Sequence, residues 1–110
     1  MALIEPIIAN IGPLPISVQY TGEGVGSVLL YIAGSAWSPN EGTDIGIGVY
    51  VDGNLIGNAT VFTNESGSHK ALIPSIIPFK VDGNEHTMTV EALTGTNTDL
   101  NDQFYVSIIY

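Results

Sequence analysis

Cysteine and arginine are absent from this chain, and charged residues are few. Its 110 residues include no cysteine, two lysines and eleven carboxylates, which give a formal net charge of -9 at pH 7. Without cysteine there is no disulfide framework, no thiolate metal site and no cysteine nucleophile. A chain of this charge repels a phosphate backbone, and it has no guanidinium fork with which to grip one. The composition therefore predicts no nucleic-acid partner.

Long apolar runs are also missing. No run approaches the ~18 apolar residues that a membrane helix needs. The first ten residues lack the basic start and apolar stretch of a secretory signal, because Glu5 and Pro6 interrupt them. We expect a soluble chain that does not insert into a membrane, and the sequence leaves its compartment open.

Apolar side chains are nevertheless abundant. Hydrophobic residues make up 45% of the chain and charged residues 12%, whereas an average soluble domain is about 25% charged. A chain of this length buries one core, so we predict a single domain over residues 1–110. The apolar surplus predicts that copies of the chain cover part of its surface.

The periodicity of the apolar residues indicates an all-β protein. Ile45, Ile47 and Val49 alternate with Gly46 and Gly48 before the turn residues 52–54, and residues 55–63 form the returning strand of a predicted hairpin. The same four residues, Val-Asp-Gly-Asn, recur at 81–84 before the alternating segment 85–93. We predict a second hairpin there. His86 shares its alternating face with Met88 and Val90, which is typical of a hydrogen-bonded structural histidine.

Two segments are apolar on both faces. In residues 28–37, one face carries Val28, Leu30, Ile32 and Ala36, and the other carries Leu29, Tyr31 and Trp37. In residues 104–110, Phe104, Val106, Ile108 and Tyr110 lie opposite Tyr105 and Ile109. Such strands need cover on both sides. A partner sheet covers one side, and an adjacent subunit is the simplest cover for the other.

About eight strands are predicted in total, which is the number in a jelly roll. One of them, residues 71–79, contains Pro74 and Pro78, which cannot donate ladder hydrogen bonds, so we expect an edge or bulged strand. The strand layout, the doubly apolar segment 28–37 and the aromatic terminal strand 104–110 resemble the small trimeric jelly rolls of the tumour-necrosis-factor and C1q type, which include bacterial lectins.

The resemblance implies a two-sheet antiparallel β-sandwich that forms a homotrimer, with the terminal strand in the inner sheet near the threefold axis. It carries no catalytic or ligand signature. The fucose-binding members use arginines to grip the sugar. Because this sequence has no arginine, their site cannot be transferred to it.

Polar and aromatic residues in and beside the predicted loops form the candidate ligand site. Amides and carboxylates hydrogen-bond to sugar hydroxyls, and an aromatic ring can stack on a pyranose. The same residues also suit a purely structural role, because Asn and Asp commonly cap turns. The candidate residues are Trp37, Asn64, Glu65, His69, Asp99, Asn101, Asp102 and Tyr105.

Metal binding and catalysis have less support from the sequence. Asp99, Asn101 and Asp102 with Glu65 would suit Ca²⁺, but their spacing is not that of an EF-hand loop, and we expect no metal and no cofactor. His69 and His86 are the only imidazoles, and no serine lies in a G-x-S-x-G motif. An enzyme would need a compact carboxylate pair in a pocket. We therefore expect a protein that is not an enzyme.

Two functions are consistent with these features. The leading hypothesis is a homotrimeric, lectin-like carbohydrate-binding module in which threefold display raises the avidity of weak sites for glycans. The alternative is a structural or assembly module, such as the trimeric head of a phage or cell-surface appendage. It explains the apolar surplus and the lack of reactive groups equally well.

Overall fold

Nine β-strands form the part of the chain that the computed structural model describes, residues 3–110. The first two residues of the predicted domain lie outside this part. The strands are β1 (Ile4–Ile11), β2 (Ile16–Thr21), β3 (Gly26–Ala36), β4 (Thr43–Val51), β5 (Asn54–Thr63), β6 (Lys70–Ala71), β7 (Ser75–Val81), β8 (Glu85–Ala92) and β9 (Gln103–Ile109). Among residues 3–110 the structure has no helix with the length and apolarity to cross a bilayer.

The strands are arranged in two antiparallel sheets. Sheet one has the order β1-β9-β3, and β3 pairs along its length with both β7 and β6; sheet two has the order β2-β8-β4-β5. The predicted two-sheet, jelly-roll sandwich is confirmed. The ninth strand arises because the predicted strand 71–79 is divided into β6 and β7. β7 lies at the edge of sheet one, as Pro78 within it predicts.

The core lies between the sheets and follows the alternation of the sequence. Each fully buried aliphatic side chain contributes about 1.5–3 kcal/mol relative to an exposed one. In sheet one, Leu30 and Ile32 of β3 pack with Phe104, Val106 and Ile108 of β9. Sheet two supplies a matching set, and the largest fully buried residues from this sheet are Ile45, Ile47, Val49, Met88 and Val90.

The first predicted hairpin is confirmed. β4 and β5 pair from Thr43↔Thr63 to Val51↔Asn54. Asp52 and Gly53, which connect them, have φ values of 51° and 85°. Two successive positive φ values are what a tight hairpin turn requires.

The second predicted hairpin is wrong. β7 belongs to sheet one and β8 to sheet two, so the second Val-Asp-Gly-Asn sequence joins the two sheets. In this turn only Gly83 has a positive φ. The same four residues therefore adopt a different turn, and the chain crosses from one sheet to the other.

The outer surface of sheet one is free of charge along its central rows. Side chains that alternate with the core residues of β1, β9, β3 and β7 lie side by side in three rows. They are Ile4–Ile109–Leu29–Pro78, Pro6–Ser107–Tyr31–Ile76 and Ala9–Tyr105–Ala33. We call these eleven residues the uncharged face. Leu29, Tyr105, Ile4 and Ile76 are each 43% to 59% exposed in the single chain, so the second apolar surfaces predicted for β3 and β9 are present.

Candidate functional site

His69 is the centre of the predicted ligand site. It immediately precedes β6, and its Nδ1 lies 2.8 Å from Oδ1 of Asp102, just before β9. Its Nε2 lies 3.5 Å from Oδ2 of Asp99. The indole of Trp37, at the end of β3, lies 6.0 Å from the imidazole between ring centroids. We call these four residues the His69 cluster.

Asp102 is the buried member of this cluster. Its side chain is fully buried, and its oxygens accept hydrogen bonds from the Ser35 hydroxyl at 2.8 Å and the Asp99 amide at 2.9 Å. His69 is the third partner, so the buried carboxylate of Asp102 has the hydrogen bonds that a buried polar group needs. His69 and Asp99 are the members that a ligand can reach, since their side chains are 35% and 42% exposed.

The electrostatics of the cluster favour a protonated imidazole. The hydrogen bond with Asp102 raises the pKa of His69, and the negative charges of Asp102 and Asp99 act in the same direction. An imidazolium has two N–H donors and no acceptor. Because Nδ1 is bound to Asp102, the exposed part of the cluster offers the Nε2 donor of His69 beside the acceptor oxygens of Asp99.

Trp37 is held against the neighbouring loop. Its backbone N–H donates to the Asn97 carbonyl at 3.0 Å and its carbonyl accepts from the Asn97 N–H at 2.7 Å. The indole Nε1 is buried and has no hydrogen-bond partner among residues 3–110. The two backbone hydrogen bonds with Asn97 hold the backbone of Trp37 in place, and its indole lies beside His69.

The remaining predicted residues are dispersed around this centre. Glu65 forms an ion pair with Lys70, the residue that follows His69, and Lys70 Nζ lies 3.0 Å from Oε1 of Glu65. Asn64 is exposed before Glu65. The Asn101 N–H donates to Asp99 at 2.8 Å. Tyr105 lies on the uncharged face, where it borders a groove of about 380 Å³ together with Tyr31 and Asn101.

A metal ion would find a different ligand set from the one considered from sequence. His69, Asp99 and Asp102 each place a donor atom within 4.8 Å of the others. One imidazole and two carboxylates are a donor set suited to zinc, whereas Ca²⁺ prefers six to eight oxygens. Glu65, part of the calcium set, is instead paired with Lys70.

A second histidine cluster lies at the opposite end of the sandwich. Nδ1 of His86 lies 2.6 Å from Oδ2 of Asp52, and Nε2 lies 2.9 Å from both carboxylate oxygens of Asp82. We call these three residues the His86 clamp. Asp52 follows β4 of sheet two and Asp82 follows β7 of sheet one, so the clamp joins the sheets.

The clamp also favours its charged form. The hydrogen bonds with Asp52 and Asp82 raise the pKa of His86. The backbone N–H of Thr87 and the His86 side chain lower the pKa of Asp52, and the backbone N–H of Asn84 and His86 lower that of Asp82. Burial, with the charges of both aspartates, raises the pKa of Tyr20 to about 12.

A cavity of about 460 Å³ adjoins the clamp. Its lining includes Tyr20, Ile56, Phe79, Lys80 and all three clamp residues. We did not predict this site from the sequence. A signal was present, because both Val-Asp-Gly-Asn turns place an aspartate directly after a strand, but nothing in the sequence shows that the two turns meet.

Comparison with known proteins supports the fold assignment. No family model matches the chain, and no curated protein matches it in sequence. Among solved structures, a family 35 carbohydrate binding module from Clostridium thermocellum is similar with a TM-score of 0.54 at 10% identity, covering 97% of this chain and 88% of the other. Eiger TNF from S. frugiperda is similar with a TM-score of 0.50 at 9% identity, covering 96% and 93%.

A third similarity involves a much longer protein. Dimeric latent PorU from Porphyromonas gingivalis has a TM-score of 0.52 at 14% identity, over 86% of this chain, which spans 10% of that protein's length. At these identities the similarities concern the fold alone. The predicted resemblance to jelly rolls of the tumour-necrosis-factor type is confirmed at that level.

Proposed function

We propose that this chain is a carbohydrate-binding module that assembles as a homotrimer and displays its glycan sites at the ends of the sandwich. The observation that carries the proposal is the uncharged face. Its eleven residues are free of charge in a chain whose net charge is -9. A contiguous apolar surface of this kind favours association over exposure to water.

Copies of the same chain are the partner that best fits this face. A charged partner would find no opposite charge on this face with which to form an ion pair. Two further copies of the chain would instead bring equally uncharged surfaces to it. Ile4, Tyr31, Tyr105, Ser107 and Ile109 border a shallow apolar depression of about 390 Å³ on this face, and a side chain from an adjacent subunit can fill it. Tyr105 therefore serves assembly in this proposal.

Assembly through the uncharged face leaves the His69 cluster at the end of each protomer. There the Nε2 group of His69, the Asp99 carboxylate and the amides of Asn64 and Asn101 provide donors and acceptors for sugar hydroxyls. The structural similarity to a carbohydrate binding module supports this ligand class. The site requires no reactive residue, so we propose a binding function without catalysis.

Glycan binding is tested on an array probed with the intact, fluorescently labelled protein. We expect saturable binding to a defined set of glycans, and Asp99→Ala should weaken it by about tenfold, the loss of one hydrogen bond to a charged group. Glu91→Ala, at an exposed position on sheet two, serves as the matched control and should bind as the unmodified protein does. An array without any signal above background would contradict the proposal.

The assembly module named from the sequence is the second candidate. The uncharged face favours it as strongly as it favours the lectin, since both require self-association. The two candidates differ in ligand binding alone. A stable trimer that binds no array glycan would favour the assembly module.

A further inference from the structure

The cavity beside the His86 clamp is a concave surface that the proposed function does not use. It lies at the opposite end of β3 from the His69 cluster, because Gly26 of β3 pairs with Val81 while Ala36 pairs with Lys70. At about 460 Å³ its volume is in the range of small-molecule sites, about 300–1,000 Å³. The two ends are therefore independent surfaces.

The wall of the cavity is apolar and aromatic. Tyr20 and Phe79 lie 6.2 Å apart between ring centroids, and the His86 ring lies 5.9 Å from Tyr20. Val51 and Ile56 add aliphatic surface. Tyr20 and Phe79 are each 8% exposed, so they form the apolar floor of the cavity. The His86 ring, with a side chain 26% exposed, is the surface on which a pyranose ring can lie.

The rim of the cavity is polar and has unused hydrogen-bonding capacity. Asp52 and Asp82 are each 50% exposed on the side chain, and their oxygens keep acceptor sites beyond those taken by His86. Lys80 and Asn54 also line the cavity. An ammonium group and an amide add the donors that sugar hydroxyls require.

The charges on the rim favour a neutral ligand. Asp52 and Asp82 are negative, His86 lies between them with a raised pKa, and the Lys80 ammonium also lines the cavity. Because each carboxylate is already hydrogen-bonded with His86, a cationic ligand would have to compete with His86 for them. An anionic ligand would be repelled by both carboxylates.

We infer that the cavity beside the His86 clamp is a second saccharide site, which takes one neutral sugar residue through hydrogen bonds to Asp52, Asp82, Asn54 and Lys80. Each protomer then carries a site at each end of the sandwich. The inference rests on the proposed function, since it assigns the same ligand class to another surface.

The test is a titration followed by ¹H–¹⁵N correlation spectra of the intact protein. The probes are D-galactose, D-mannose, L-fucose and N-acetyl-D-glucosamine, each added in excess. We expect at least one of them to shift the Asn54, Lys80 and His86 amide signals in a saturable manner. Lys80→Ala and Asn54→Ala should each raise the Kd at this end by about tenfold. Both residues are exposed, so the variants are expected to fold, and their spectra report it.

The outcomes separate this inference from the proposed function. Matched variants Glu65→Ala and Asn101→Ala alter the opposite end and should leave the Kd of the cavity unchanged. Signals that shift only near His69 and Asp99 would overturn the second site and leave the carbohydrate proposal intact. If no sugar shifts any signal, both fall.

Discussion

The two outer surfaces of the sandwich differ sharply although the inner surfaces match. The uncharged face of sheet one presents rings and aliphatic chains. On sheet two, the paired strands β2 and β8 present outward-facing polar residues, and we call this part of the outer surface the polar face. Its residues are Ser17, Gln19, Thr21, Glu85, Thr87, Thr89 and Glu91. Ser17 and Thr89 share a hydrogen bond of 2.8 Å there.

This difference separates the uncharged face from strands β2 and β8 of sheet two. These two strands follow the usual alternation, with apolar residues inside and polar residues outside, although Leu55 and Phe62 of β5 in the same sheet are 54% and 56% exposed. Sheet one has apolar residues on both sides. The uncharged face is therefore a continuous apolar surface without a partner in the single chain, and it is the candidate for assembly.

The largest expected effect comes from placing a charge on the uncharged face. Tyr31→Asp is expected to convert the proposed trimer to a monomer, because each subunit would bury an unpaired carboxylate, which costs several kcal/mol. Light scattering coupled to size-exclusion chromatography measures the mass. Gln19→Asp makes a charge change of the same sign on the polar face and should leave the trimer intact. A monomeric mass for the unmodified protein would contradict the proposed assembly through the uncharged face.

A second pair of substitutions compares the two faces of β3. Ile32→Ala removes a fully buried side chain and is expected to reduce the free energy of unfolding by about 2–5 kcal/mol. Leu29→Ala, on the uncharged face, should cost the isolated monomer about 1 kcal/mol, since the side chain is partly exposed. Urea denaturation of both variants in the monomeric Tyr31→Asp background measures this difference. If both variants lose the same free energy of unfolding, the two faces of β3 are equally buried in the monomer and the predicted difference is wrong.

The His86 clamp, which joins the sheets bearing these two faces, should make stability depend on pH. Because the folded pKa of His86 is raised, its contribution to stability is complete below the ordinary histidine pKa of 6.5 and is lost as the pH rises through the folded pKa. Asp52 and Asp82 have lowered pKa values, so their contribution is complete above 3.8 and is lost as the pH falls through the folded values.

The measurement is the urea midpoint as a function of pH. Tyr20, Asp52 and Asp82 are the titratable groups that face His86, and His86→Gln should flatten the decline above pH 6.5. His69 has a raised pKa as well, so His69→Gln should remove a separate part of this decline. A midpoint that rises between pH 6.5 and 8 would contradict the assignment.

The smallest expected effect concerns the polar face. Ser17→Ala removes its exposed hydrogen bond with Thr89 and should change the free energy of unfolding by about 0.5 kcal/mol or less. The change should be the same in trimer and monomer, because water replaces the lost partner in both. A loss that depends on protein concentration would place the polar face in an interface.

Much of the fold was predictable because alternation is a local property. The strands around Ile47, Leu30 and Val106 were identified from their pattern, and these residues are fully buried. The hairpin at Asp52 followed from turn chemistry in the same way. The identical residues at 81–84 gave a wrong hairpin, because the partner of a strand depends on contacts that lie far away in sequence.

The candidate site was predictable only in part. His69, Asp99, Asp102 and Trp37 were selected for their chemistry, and the structure brings them together. Nothing in the sequence distinguishes the buried, fully hydrogen-bonded Asp102 from the exposed Asp99. That distinction depends on Ser35, which lies 67 residues from Asp102 in sequence.

The sequence by itself determined the β class, the alternation that builds the core and the concentration of apolar residues in β3 and β9, since each follows from the order of neighbouring residues. The tertiary structure decided which strands pair, that the outward residues of β1, β9, β3 and β7 form one continuous uncharged face, and that His86 lies between Asp52 and Asp82. These features arise from long-range packing, because Asp52 and His86 are 34 residues apart and meet only when the two sheets close on one another.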